Sequence, residues 1–290
     1  MVSGTMCAGS IPAGGTTPFR RVVAGVALLL VLVPACSTPL SPRPVPVEVW
    51  SDADSLPPPL TGYEIVDLSL SLHEGVPAWP GPGYTKMRVT EIPGHGGKGA
   101  GSRVLTLPEL HGTHVDAPRH FGKTAMSIAD IPVRRLFRPA VVVDVRASVL
   151  SNPDHRLSLN ELLRWEGRHG RMDAGAIVLL RTGFRFPEGG TVPDAVWRHF
   201  PGYSLEAARF LIEERGVVCL GTDAPSVDPG SSDTYDVHIF GSKRGVYFLH
   251  NVTHLEVLPP RGFAVWVAPL RLEQGSGSPA RVFAFLKPGR

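Results

Sequence analysis

Cysteine is scarce in this 290-residue chain, which has only Cys7, Cys36 and Cys219. The first two lie in an N-terminal stretch that reads as an export signal, so the body keeps one thiol. No intrachain disulfide can brace it, and core packing must hold it together. Cys219, within Val217-Val-Cys-Leu220, is expected to be a small buried apolar residue rather than a nucleophile. Charge is also sparse: 19% of residues are charged and the formal net charge is +3. Arg20 and Arg21 carry two of those positive charges at the N-terminus, leaving the remainder almost neutral. That balance argues against nucleic-acid binding and against a polybasic membrane surface. There is no G-x-S-x-G elbow, which disfavours a Ser-His-Asp hydrolase. There is also no internal repeat.

What is present begins with a targeting pattern. Arg20-Arg21 precede the apolar run Val22–Val33. A run of about a dozen residues is too short to span a bilayer comfortably. Val33-Pro-Ala-Cys36 then resembles a bacterial lipobox. Residues 1–36 therefore read as a lipoprotein signal with lipidation expected at Cys36, which implies export and anchoring to the outer face of a bacterial membrane. The stretch before Arg20 is long for a charged n-region, so Met6 is a second candidate start. Residues 37–61 contain Ser41-Pro-Arg-Pro-Val-Pro46 and Pro57-Pro-Pro59, an extended tether. Residues 62–290 remain, enough for one sizeable core.

Within that domain, strands are expected at Tyr63–Leu70, Thr85–Ile92, Pro139–Val145, Ala176–Arg181 and Val217–Leu220. The continuous apolar runs predict strands buried on both faces. Ser158-Leu-Asn-Glu161 has capping-box spacing and starts a helix. Ser204 to Arg215 predicts another, with Leu205, Ala208 and Ile212 on one stripe and Gly216 as its stop. The fold class is α/β and β-rich.

The chemistry concentrates in His111-Gly-Thr-His-Val-Asp-Ala-Pro-Arg-His-Phe121. Imidazole and carboxylate are common ligands of zinc, manganese and iron. His114 and Asp116 stand at i and i+2, so an extended segment points both to one face. Pro118 disfavours a helix here and biases Ala117 toward extended backbone. His120 lies beyond that bend, where it could turn back toward the same point. Spacing alone leaves a metal site and a set of structural histidines as competing readings. Trp79, in the loop Val76-Pro-Ala-Trp-Pro-Gly81, is a candidate apolar wall for a planar substrate. Asp223 and Ser226, in Gly221-Thr-Asp-Ala-Pro-Ser226, leave a strand end where polar site residues commonly sit; they either line the pocket or make a turn.

Gly112-Thr-His-Val-Asp-Ala-Pro-Arg-His-Phe121 resembles the signature of the metal-dependent cyclase family, which includes bacterial kynurenine formamidase and isatin hydrolase. Gly221-Thr-Asp-Ala-Pro-Ser-Val-Asp228, His238 and Leu249-His-Asn-Val-Thr-His254 continue the resemblance, which covers about residues 62–287 in order. It implies a β/β/α arrangement around a closed or nearly closed sheet, usually in a homodimer or larger homo-oligomer. It implies one or two divalent ions per chain, zinc or manganese, held by His114, Asp116 and His238. His111 and His250 are weaker candidate ligands. Two positions depart from the pattern. The family's histidine four residues before His114 is replaced by Leu110, and the family's glutamate at position 250 is replaced by His250.

The function implied is metal-assisted hydrolysis of an amide, lactam or ester bond in a small, cyclic or aromatic substrate. His120 is the candidate general base. Two alternatives stand beside it. One is a catalytically inactive, lipid-anchored small-molecule-binding protein on the same fold. The other is a structural lipoprotein with a vestigial cluster.

Overall fold

Ala140-Val-Val-Val143 and Ile177-Val-Leu-Leu180 are buried at every position, the pattern of strands covered on both faces. In the computed structural model, which describes residues 63–94, 101–187 and 192–287, they form adjacent parallel strands. The expected signal at 1–36, the tether at 37–61 and the lipidation site Cys36 lie outside the described residues.

The chain runs β1 Glu64–Asp67, β2 Arg88–Ile92, β3 Ser102–Thr106, β4 His114–Asp116, α1 Val133–Leu136, β5 Phe137–Asp144, α2 Arg146–Ser151, β6 Arg156–Leu157 and α3 Leu159–His169. It continues through β7 Ile177–Arg181, α4 Asp194–Arg198, β8 Gly202–Tyr203, α5 Leu205–Arg209, β9 Cys219–Thr222, α6 Asp236–Ser242, β10 Tyr247–His250, β11 Arg261–Pro269 and β12 Gly277–Leu286. Eight strands make one mixed sheet in the order β1-β12-β11-β5-β7-β9-β10-β4. Neighbours from β5 through β7 and β9 to β10 are parallel, and the other pairings are antiparallel. β4 also pairs with β12, from Gly277 opposite Asp116 to Pro279 opposite His114. That pairing closes the sheet into a ring and leaves β1 outside it. The closed sheet implied by the resemblance is present.

Strand alternation divides the apolar residues into two cores. One receives Val115 from β4, Ala140 and Val142 from β5, Ile177 and Leu179 from β7, Cys219 from β9 and Leu249 from β10, with Val265 and Val282 from the last two strands. All seven ring strands feed it, so it fills the ring interior. The other takes Val141, Val143, Val178, Leu180 and Phe248 from the opposite faces and packs them against Leu162 and Trp165 of α3 and Ala207 and Ala208 of α5. Cys219 is fully buried inside the ring, and burial pushes its thiol pKa up. A buried, protonated thiol is inert as a nucleophile.

The α3 capping box forms as expected. Ser158 Oγ accepts from the Glu161 amide at 3.3 Å, and Glu161 Oε2 accepts from the Ser158 amide at 2.9 Å. The next expected helix differs. It is α-helical only through Arg209, and Phe210–Glu214 then widens into a π turn. The buried set becomes Ala207, Ala208, Leu211 and Ile212, because the wider turn rotates the stripe. Gly216, at φ +64°, ends it as expected. Among the described residues no helix is long and apolar enough to cross a membrane.

Candidate metal centre

On β4, Val115 faces the ring interior, so His114 and Asp116 face outward together. β10 runs alongside in a register that sets His250 opposite His114 and Phe248 opposite Asp116. Leu249 points inward, so His250 joins the outward face. Cross-strand partners of this kind bring side chains within contact. His250 Nδ1 lies 3.1 Å from His114 Nε2 and 3.8 Å from Asp116 Oδ2. His114, Asp116 and His250 each offer a ligand atom within 4.8 Å of the others, and all three are buried.

The surroundings hold these donors in a ligating form. The Gly112 carbonyl accepts from His114 Nδ1 at 2.8 Å, which leaves Nε2 free to ligate. Gly112 itself is fixed by Asn251 Nδ2, which donates to the same carbonyl at 2.9 Å. Thr113 Oγ1 donates to the Asn251 carbonyl at 2.6 Å. Asn251, at φ +53°, turns the chain directly after His250 so that these bonds can form.

α6 brings a fourth group from above the sheet. Asp228 Oδ1 accepts from the Val237 amide at 2.9 Å, and its Oδ2 accepts from the His238 amide at 3.1 Å and from His238 Nδ1 at 2.5 Å. His238 Nε2 is thereby aimed at Asp116 Oδ2, 3.3 Å away, without hydrogen-bond alignment. His120, in the short turn Pro118–His120, puts Nε2 3.7 Å from the same oxygen with a quarter of its side chain exposed.

Electrostatics follow from burial and crowding. Burial alone would raise the Asp116 pKa, but the imidazoles of His250, His120, His238 and His114 hold it well below the usual carboxylate range. Burial lowers His114 and, more strongly, His250, which keeps both neutral. Burial also opposes charge on His238, yet the carboxylates of Asp116 and Asp228 outweigh it and raise its pKa to about 9. A divalent ion fits this donor set. Asp116 Oδ1, His238 Nε2 and His250 Nε2 are buried without a hydrogen-bond partner, and leaving such groups unsatisfied is costly. Asp116 ionised and His114 and His250 neutral are in the forms a metal takes up, and His238 joins them on losing its Nε2 proton.

The cluster floors a cavity of about 290 Å³ walled by Trp79, Tyr84, Phe121, Tyr235, Pro225 and Leu110. Ser226 also lines it, and its hydroxyl accepts from the Asp228 amide at 3.1 Å, so it makes a turn as well. Two of the sequence candidates sit elsewhere. Asp223 lines a separate cavity, where its carboxylate accepts from Thr182 N at 2.9 Å, Thr182 Oγ1 at 2.5 Å and Gly183 N at 2.8 Å. Those bonds fold the turn after β7 and leave nothing for a substrate at the cluster. His111 is buried and does not line the cluster's cavity, and both of its ring nitrogens lack a hydrogen-bond partner.

Asp228 is the functional residue that sequence reasoning passed over, although it closes the second matched motif. With its Nδ1 bonded to Asp228, His238 presents Nε2 in one tautomer and orientation. Asp228→Asn is expected to lower kcat/KM or metal affinity by about 10–100-fold. Steady-state kinetics and metal titration check this, and values within twofold of wild type would rule out the orienting role.

A family model described as a cyclase matches residues 66–229. Isatin hydrolase of Roseibium aggregatum is 30% identical over 195 residues, spanning 63% of this chain and 73% of the relative. Kynurenine formamidase of Bacillus cereus is 28% identical over 225 residues, spanning 78% of this chain and 98% of the relative. The solved structure of isatin hydrolase A from Labrenzia aggregata bound to benzyl benzoate superposes with a TM-score of 0.71 at 32% identity, covering 78% of this chain and 95% of that one.

Proposed function

The chain belongs to the cyclase family, and we propose that it carries out its metal-dependent hydrolysis at the cluster of His114, Asp116, His238 and His250. It is a hydrolase of carbon–nitrogen bonds other than peptide bonds, acting on a small molecule. The observation that carries the site assignment is the set of unpartnered buried donors on Asp116, His238 and His250 at the floor of an aromatic-walled cavity.

His114, Asp116 and His250 would hold the ion, with His238 as the adjoining donor. Zinc or manganese suits imidazole and carboxylate donors. Bound there, the ion would lower the pKa of water toward 7 and polarise a carbonyl. The chain's own groups do the remainder. His120, partly exposed beside Asp116, is placed to take a proton from the attacking water and return it to the leaving nitrogen or oxygen. Asp228 fixes His238. Trp79, Phe121 and Tyr235 wall a flat substrate and displace bulk water, which strengthens every charge interaction in the cavity. Lipidation at Cys36, export, and assembly into a homodimer or larger oligomer complete the proposal; they rest on the lipobox pattern and on the family resemblance.

The test is turnover of isatin, of formylkynurenine and of simple aryl esters by the full-length chain. Each is assayed with added manganese or zinc, after chelation, and after metal is restored. Expected is hydrolysis of at least one class that chelation abolishes and metal restores. Saturable binding of these compounds without turnover at any metal loading would instead establish the catalytically inactive binding protein.

A further inference from the structure

Resting on the hydrolase reading, we propose that the substrate is longer than the metal-site cavity and that a second chamber takes its far end, a protonated amine or quaternary ammonium recognised by Trp79, Trp197, Asp194 and Asp233. The second chamber measures about 310 Å³. It shares Trp79, Ser226 and Tyr235 with the metal-site cavity of about 290 Å³, so the two are neighbouring compartments of one cleft. Pockets that enclose small organic ligands run from about 300 to 1,000 Å³. The metal-site cavity alone stands at the bottom of that range, and the pair stands well inside it.

The chamber is preformed. Gly230 donates its amide to the Phe200 carbonyl at 2.9 Å, and a Cβ there would strike the Arg198 backbone and the Phe200 ring, so the loop before α6 is pressed against the end of α4. Tyr235, on the boundary between the compartments, keeps a left-handed backbone at φ +51°, with its amide held by Ser232 Oγ at 3.3 Å. Such a conformation is unfavourable for a bulky residue and recurs where a side chain must be aimed at a ligand. The lining selects a cation. Trp197 of α4 meets Trp79 edge to face, with ring centroids 5.4 Å apart, so two indoles stand at an angle on the wall. Indole rings attract ammonium groups, and aromatic walls set at angles suit quaternary ones. Asp194 and Asp233, both exposed, bring two negative charges to the rim against the one positive charge of Arg198. The remaining carboxylate of the lining, Asp228, is already engaged by two backbone amides and His238 Nδ1.

Two matched series of compounds test this on the full-length chain with manganese or zinc. One is phenyl esters and the other their uncleavable phenyl ketone counterparts. Each carries an alkyl arm of graded length ending in trimethylammonium or in its neutral isostere, tert-butyl. Calorimetry gives Kd for the ketones, and steady-state kinetics give kcat/KM for the esters. Expected, at one arm length, is roughly 10-fold tighter binding of the cationic ketone and a similar gain in kcat/KM for its ester. The preference should shrink as salt is added. It should fall to about twofold or less in the double variant Asp194→Asn, Asp233→Asn, whose two exposed positions leave circular dichroism native. Equal affinity for the two ends at every length, or a preference that the double variant keeps in full, would overturn the inference, and metal-dependent ester hydrolysis would then leave the hydrolase reading intact. A cation preference among the ketones with no ester turnover at any metal loading would keep the chamber as a ligand site and overturn the hydrolase reading.

Discussion

Asp116→Asn is expected to lower hydrolysis by at least ~10³-fold, the equivalent of losing several kcal/mol of metal-derived stabilisation. It should do so without unfolding the protein. Asparagine has the shape of aspartate, and Asp116 sits on β4 between pairings that its side chain does not make. What changes is charge. The carboxylate is ionised and buried, kept so by the surrounding imidazoles, with Oδ1 left unpartnered for an ion to take. Metal should therefore raise the melting temperature of the wild type by mass action and leave that of the variant unmoved. The metal-free variant should melt somewhat below the metal-free wild type, because the imidazoles that hold the Asp116 pKa down lose its charge. Thermal scans with and without manganese, beside the kinetics, decide the matter. A variant that keeps a metal-dependent shift would remove Asp116 from the ligand set.

The second large effect is structural. Gly277→Ala is expected to destabilise the protein by about 3 kcal/mol, the upper part of the range for overpacking. For a domain of this size that is roughly 6–12 °C in melting temperature. A Cβ at Gly277 would strike the Leu110 side chain and the Val115 carbonyl. Leu110 can shift, but the carbonyl belongs to β4, which has only three residues and supplies the contact that closes the ring. The neighbouring loop gives little slack, since Glu109 Oε2 accepts from both the amide and the hydroxyl of Ser276 at 2.9 and 2.7 Å. A melting curve within a degree of wild type would show that this junction yields more easily than its geometry suggests.

Much of this was legible locally. The i, i+2 spacing of His114 and Asp116 before Pro118 put the pair on one face, and β4 displays both on one face. The apolar runs that became β5 and β7 declared their two-sided burial by having no polar alternation. The capping box at Ser158 needed only its own four residues. The features that stayed hidden depend on distant partners. His250 meets His114 across 136 residues of sequence, and no local pattern states that register. α6 starts from Tyr235 in a left-handed conformation without a side-chain cap and contains Gly241, so it carries no start signal. The π turn after α5 obeys tertiary packing rather than propensity. For Asp223 the sequence left pocket and turn open because it follows a strand, and the bonds that claim it come from Thr182 and Gly183 on the neighbouring strand's exit.

The alternation on β4 and β10 has one more consequence. Val115 and Leu249 face the oily interior, while His114, Asp116 and His250 face the cavity, so a single peptide layer separates the two. Sliding β4 by one residue would exchange these sets. An ionised carboxylate and an imidazole would then enter a dry interior, and a valine would face the water. The misaligned ring is penalised far more heavily than an all-apolar strand of three residues could arrange. The same three side chains thus also act as a key for correct closure of the ring.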